Sequence, residues 1–245
     1  MLMRMTLQEQ FQTCFLTGDP PRYTWLLDGL KMTLLITLIA VLIGVVIGIV
    51  VAIIRSTYDK NRETLQKNGG PGYAVLKVLN WICNLYLTVI RGTPVVVQLM
   101  IWYFVVFASS KQDLVIASVA FGINSGAYVA EIFRSGIMAV DNGQFEAGRS
   151  MGFNYIQTMR YIIVPQMFKV VLPTLLNEFI ALLKETSVAG YVGIMDLTRA
   201  GDMIRGRSFI AFMPLIAVAL IYLCLVIILS ALVKRLERRL RSNER

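Results

Sequence analysis

The sequence has no histidine. That absence removes Ser-His-Asp and Cys-His catalysis, along with the commonest metal ligand. Its three cysteines, Cys14, Cys83 and Cys224, lie far apart with no paired spacing. Neither a disulfide framework nor a metal knuckle is implied. No GxxxxGK[ST] occurs, so the chain lacks the loop that cradles ATP phosphates. Charge is scarce as well: 16% of the 245 residues are charged, whereas 56% are hydrophobic. A soluble domain of this length must coat itself with charge and seldom reaches that balance. The N-terminal stretch MLMRMTLQEQFQT has neither a long apolar core nor a cleavable-signal pattern. A membrane-embedded enzyme would have to work without histidine and without any obvious nucleophile–base pair.

What the chain does have is apolar length. A helix needs about 20 apolar residues to cross the hydrocarbon. Met32 to Ile54 and Leu114 to Ala130 carry no charge, and Val78 to Ser110 carries only Arg91. Ser208 to Val233 is uncharged and ends in KRLERRLRSNER. Val170 to Met195 contains Pro173, Asn177, Glu178 and Lys184, and is predicted to be an irregular span. The expectation is an all-α polytopic membrane protein with about five transmembrane helices, forming a single domain over 1–245. No second soluble domain and no solenoid repeat is visible.

Orientation follows from Lys and Arg bias. With the C-terminus inside, fifteen of these residues fall on inside segments and eight on outside ones. The bias predicts an extracytoplasmic N-terminal segment over 1–29. It also predicts a cytoplasmic loop over 55–77, a second cytoplasmic loop over 138–165 and a basic cytoplasmic tail over 234–245. The net charge of +9 is then topological, set against an anionic leaflet and not against nucleic acid. The first cytoplasmic loop, with its Gly69-Gly70-Pro71-Gly72 break, reads as a linker.

The second loop contains EAGRSMGFNYIQTMRYIIVP, Glu146 to Pro165. Asp141 and Gln144 have the spacing of a capping box. A helix starting there places Glu146 in its first turn, at the positive end of the dipole. Ala147 and Gly148 are small enough for close approach, and Gly152 is a natural helix stop. Asn154 and Gln157 repeat the capping pattern. Tyr155, Ile156, Met159, Ile162 and Ile163 follow as one apolar face, and Pro165 ends the run. The expectation is a helix–turn–helix knuckle that shows apolar groups to a partner.

This spacing resembles the EAA loop of ABC-importer permeases: Glu-Ala-Ala, three residues, Gly, nine residues, then Ile-x-Leu-Pro. Here it reads Glu146-Ala147-Gly148, Gly152, and Ile162-x-Val164-Pro165, with Gly for the second Ala and Val for Leu. VIRGTPVVVQL, GAYVAEIFRSGI, the run from Leu172 to Gly201 and the basic tail are similar to permeases for polar amino acids, the histidine/glutamine/arginine type. The likeness covers about residues 24 to 240. It departs in an extended N-terminus, a longer first cytoplasmic loop, and KETS where many relatives have Lys-Asp-Thr-Ser. The resemblance implies a type I ABC importer permease in the cell membrane of a prokaryote. It implies that Glu146, Ala147, Gly148 and Gly152 belong to a coupling helix docked on one of two ATPase subunits. ATP and magnesium would sit on those subunits, with no cofactor or metal in this chain. A second permease subunit, identical or not, and an extracytoplasmic substrate-binding protein would complete the complex.

Ionisable groups inside a membrane are costly and usually face a cavity or a partner. Arg91 precedes Gly-Thr-Pro, which breaks or kinks a helix. Its fork suits the carboxylate that every α-amino acid carries; a structural pair with Glu131 or Glu178 is the competing reading. Glu178 and Glu185 are seven apart and share a helix face. Glu185, followed by the hydroxyls of Thr186 and Ser187, is the expected amine-binding acid. Glu178 is expected to be structural, and Glu131 to pair with Arg134. Two rivals stand beside the importer reading. One is a permease of the same architecture for another small solute, such as methionine. The other is a secondary transporter, which would be expected to show inverted repeats or proton-relay acids.

Overall fold

The computed structural model describes residues 6–68 and 71–242, with side chains described for 6–60 and 71–240. Residues 1–5 of the N-terminal segment, Gly69 and Gly70 of the linker break, and residues 243–245 of the tail lie outside the described residues. Every described element is helical. The α-helices, in chain order, are α1 (Leu7–Phe11), α2 (Tyr23–Asn68), α3 (Pro71–Gly92), α4 (Val95–Ile101), α5 (Asp113–Ala139), α6 (Asn142–Ser150), α7 (Tyr155–Thr158), α8 (Val164–Glu185), α9 (Leu197–Ser208) and α10 (Phe212–Ser242), with π turns over Gln12–Leu16, Trp102–Val106 and Met159–Ile163 and a 3-10 segment over Thr186–Val192. Five helical stretches are long and apolar enough to cross a membrane: Tyr23–Lys60, Pro71–Gly92, Asp113–Ala139, Tyr155–Val192 and Phe212–Leu240.

Three boundaries differ from the sequence expectation. The stretch expected as a loop after Ile54 is helical through Asn68. Its polar side chains pair with other helices: Arg134 donates to Asp59 at 2.9 Å, and Lys60 donates to Asn142 at 2.5 Å. The run Val78 to Ser110 is not one span: it breaks where Gly-Thr-Pro after Arg91 predicts, α3 ending at Gly92 and α4 restarting at Val95. Pro94 has no N–H to give and disfavours helical geometry at Thr93. Pro165 does not end a helix. The chain passes through it by a π turn over Met159–Ile163, in which the Val164 N–H reaches back five residues to the Met159 carbonyl. The wider turn relieves the clash a proline ring has with a carbonyl in a regular helix.

The chain divides into two compact units. One comprises Met1–Ala40, Val95–Phe121 and Phe179–Leu232; the other comprises Val41–Pro94, Gly122–Glu178 and Val233–Arg245. The first unit is centred on Cys14, Phe15, Leu26, Leu197, Ile204 and Val218. Asp196 caps α9 by accepting the N–H groups of Thr198 and Arg199 at 3.1 and 2.9 Å. Burial pushes its carboxyl above the ordinary aspartate range, and those same N–H bonds pull it back. Thr33 fixes the start of α9 from α2 by accepting the Leu197 N–H at 3.1 Å. The second unit is centred on Val129, Phe133, Ile137, Ile163, Met167 and Val171. Its helices approach closely where side chains are absent. A Cβ on Gly48 would stand 2.5 Å from Val129, and one on Gly136 would stand 2.2 Å from Val171. Small residues at helix contacts are how membrane helices gain packing without a hydrophobic drive between them.

Candidate functional site

The knuckle belongs to the second unit and follows from local sequence chemistry. Asp141 caps α6, but it accepts the N–H of Gly143 at 2.7 Å and forms no box with Gln144. Gln144 instead receives the side chain of Gln166 at 3.3 Å. Glu146 is the fifth residue of α6 and lies beyond its first turn. The end of α6 is a Schellman motif: Phe153 N–H reaches the Gly148 carbonyl at 3.0 Å, and Gly152 N–H reaches Arg149 at 2.9 Å. Gly152 supplies the positive φ, +82°, that this motif needs. Asn154 then opens α7 with a complete capping box, each half at 2.9 Å to Gln157.

Glu146, Ala147, Arg149, Met151 and Gly152 are all exposed. Met151 is 70% exposed and Ile156 74%, so the knuckle shows apolar surface. Gly148 is not part of that surface. It is buried, and a Cβ there would stand 2.8 Å from Thr158. Its smallness lets α7 close on α6, and Thr158 is the partner that the sequence did not point to. The expected single apolar face on Tyr155 to Ile163 is also divided, because Ile163 is in the core while Ile156 faces out.

Arg91 lies in the last turn of α3, with its guanidinium 5.7 Å over the ring of Tyr128 and 4.0 Å from Glu131. Its side chain is 47% exposed. Glu131 also receives Arg55 directly and stands 3.7 Å from Arg134. The expected Glu131–Arg134 pair is thus one edge of a cluster on α2, α3 and α5. Glu178, in the same unit, accepts the Ser125 hydroxyl at 3.1 Å. Asn124, Tyr128 and Glu131 on α5 are spaced i, i+4, i+7, a polar stripe in an apolar helix that could have marked this cluster in advance.

Glu185, Thr186 and Ser187 belong to the first unit, where α8 gives way to a 3-10 segment over Thr186–Val192. Thr186 is fully buried and its hydroxyl donates to the Leu183 carbonyl at 2.8 Å. Ser187 lines a hollow of about 260 Å³ with Lys184, Thr198 and Tyr222. Among the described residues no cluster of acids or cysteines could hold a metal ion.

Comparison with known proteins narrows what this arrangement is for. The family described as "binding-protein-dependent transport system inner membrane component" matches residues 72–242. Over 167 residues the chain is 40% identical to the arginine transport system permease protein of Bacillus subtilis, covering 67% of this chain and 76% of that one. It is 40% identical over 169 residues to the glutamine transport system permease protein of Escherichia coli, covering 66% and 77%. A crystal structure of an amino acid ABC transporter with histidines superposes with a TM-score of 0.76 at 38% identity, over 89% of this chain and 94% of that one. The MetNI methionine ABC transporter, inward-facing, superposes at 0.73 with 20% identity over 91% and 99%, a likeness of fold alone.

Proposed function

The chain belongs to the family of binding-protein-dependent transport system inner membrane components, and on that premise we propose that it is the permease subunit of an ATP-driven importer of polar amino acids. It is a multi-pass membrane protein acting as one permease domain, with its N-terminus outside and its C-terminus in the cytoplasm. The observation that carries the coupling role is the exposed knuckle of α6 and α7, rigidly capped at both ends and showing Met151 and Ile156. Apolar surface on a rigid cytoplasmic loop suits docking on an ATPase subunit. Two such subunits hold ATP and magnesium, a second permease subunit completes the path, and an extracytoplasmic binding protein delivers substrate.

Arg91 takes the substrate carboxylate and Glu185 its amine, with Ser187 adding a hydroxyl and Thr186 shaping the backbone beside it. Glu146, Ala147 and Gly152 meet the ATPase, and Gly148 acts through the packing of the knuckle. The test is ATPase activity of the complete transporter in vesicles, with its binding protein and a panel of basic, acidic and amide amino acids. Stimulation by one of these classes is expected. Stimulation by methionine or a sugar alone, with none by polar amino acids, would reject the substrate class while leaving the permease role standing.

A further inference from the structure

We propose that an apolar groove in the second unit binds an anionic phospholipid of the cytoplasmic leaflet, one acyl chain lying between α2 and α8 and the phosphate resting on Arg160. The proposal relies on the cytoplasmic placement of the knuckle given above.

The groove encloses about 660 Å³. One wall is Val45, Ile49 and Ile53 of α2, and the other is Val164, Phe168 and Leu175 of α8. From Val45 to Ser56 the helix rises roughly 17 Å, close to the ~15 Å half-thickness of the hydrocarbon core. The groove therefore has the length of one leaflet. Its hydrogen-bonding side chains, Ser56, Thr57, Tyr155 and Arg160, come from the C-terminal part of α2 and the chain leading into α8. Those two parts meet at one end, because Lys60 reaches Asn142 at 2.5 Å and Gln166 reaches Gln144 at 3.3 Å, both on α6. The groove is thus apolar along its length and polar at its cytoplasmic mouth.

Two of those polar groups have no hydrogen-bond or ion-pair partner among the described residues. Ser56 is 1% exposed, and its hydroxyl has no hydrogen-bond partner. Arg160 is exposed, lies 5.8 Å over its neighbour Tyr161, and joins none of the ion pairs among the described residues. A phospholipid answers both at once. Its ester carbonyl accepts from a buried hydroxyl, and its phosphate takes a guanidinium by two parallel bonds. A polar solute has no use for such walls. A helix from a partner protein would fill them, yet would meet Arg160 only if it carried an acid at the matching depth.

The experiment places a reporter in the groove, Phe168→Trp, in the complete transporter reconstituted in phosphatidylcholine vesicles. Tryptophan fluorescence, taken as the difference from the parent transporter, is read against phosphatidylglycerol or phosphatidylcholine brominated on the acyl chains. Brominated phosphatidylglycerol is expected to quench several-fold more strongly at equal mole fraction. Arg160→Ala should abolish that preference, and Arg160→Gln serves if the alanine variant does not assemble. Equal quenching by both lipids, or a preference that survives loss of the guanidinium, would overturn the proposal. Quenching by neither lipid would also overturn it, showing the groove covered by a protein partner. The readout needs neither ATP nor transport, so these results leave the permease assignment untouched. A transporter that shows the lipid preference but no amino-acid-stimulated ATPase would fail the other way round.

Discussion

A guanidinium that shares its acid with two others is held loosely, and Arg91 is in that position. Glu131 takes Arg55 directly, while Arg91 remains 4.0 Å away with half its surface open and the ring of Tyr128 beneath it. The cluster orients Arg91 without saturating it, which suits a fork kept for a substrate carboxylate. Arg91→Lys retains the charge and loses the planar pair of donors. Substrate-stimulated ATPase should fall even where the complex assembles normally. Glu185→Gln removes a charge-assisted hydrogen bond worth on the order of 1.5–3 kcal/mol. The half-maximal substrate concentration should rise by about ten- to a hundred-fold, and Glu185→Asp should remain active. Unchanged substrate dependence in Glu185→Gln would move the amine site to another acid, with Glu178 next to be tested.

Within elements, the knuckle makes the sharpest demands. Gly152→Val places a β-branched residue at a φ of +82°. It should leave the spans folded and loosen ATPase association, measured by copurification; normal association would remove the knuckle from the docking surface. Gly148→Ala should do the same by a different route, because its methyl group meets Thr158. Thr158→Ala in the same chain opens that space, so the double variant should recover association that the single variant loses. Much of this element was legible beforehand. Gly152 and the Asn154–Gln157 box depend on residues within a few positions of each other, where turn chemistry acts. Gln144 was misread because its partner, Gln166, is 22 positions away. The polar run after Ile54 reads as a loop because polarity alone does not separate a loop from a polar helix, and the ties from Asp59 and Lys60 to Arg134 and Asn142 are long-range. Pro165 was misread because a stop signal presumes an α geometry that the π turn replaces.

For the molecule as a whole, the five spans were visible as apolar length, since burying backbone in lipid leaves few alternatives to helices. The path through the membrane was less visible: Gly-Thr-Pro gave away the break after Arg91, but the cluster that Arg91 joins with Glu131 and Arg55 depends on residues far apart in the chain. The predicted orientation can be checked on the intact complex. With Cys14, Cys83 and Cys224 replaced by Ser or Ala, Arg238→Cys in the exposed basic tail should react with a membrane-impermeant maleimide only from the cytoplasmic side. Gln112→Cys should react only from outside. Labelling of each cysteine from the opposite side would invert the topology that the Lys and Arg bias predicts, and labelling of both from one side would break it.

The π turn ahead of Pro165 also bears on chain length. Thr158, Ile163, Met167 and Val171 are all buried, at steps of five, four and four. In an unbroken α-helix a step of five turns the side chain about 140° from where it began. The wide turn therefore absorbs one surplus residue and keeps both ends facing inward. A chain one residue shorter between Met159 and Ile162 would match this one face for face, provided no proline stood at position 165. Deleting Tyr161 together with Pro165→Ala should thus leave the assembled transporter about as stable to heat as the parent, while the deletion alone should lower its melting temperature. A one-residue gap in an alignment at this point would mark a change of helix type and not a shift of register.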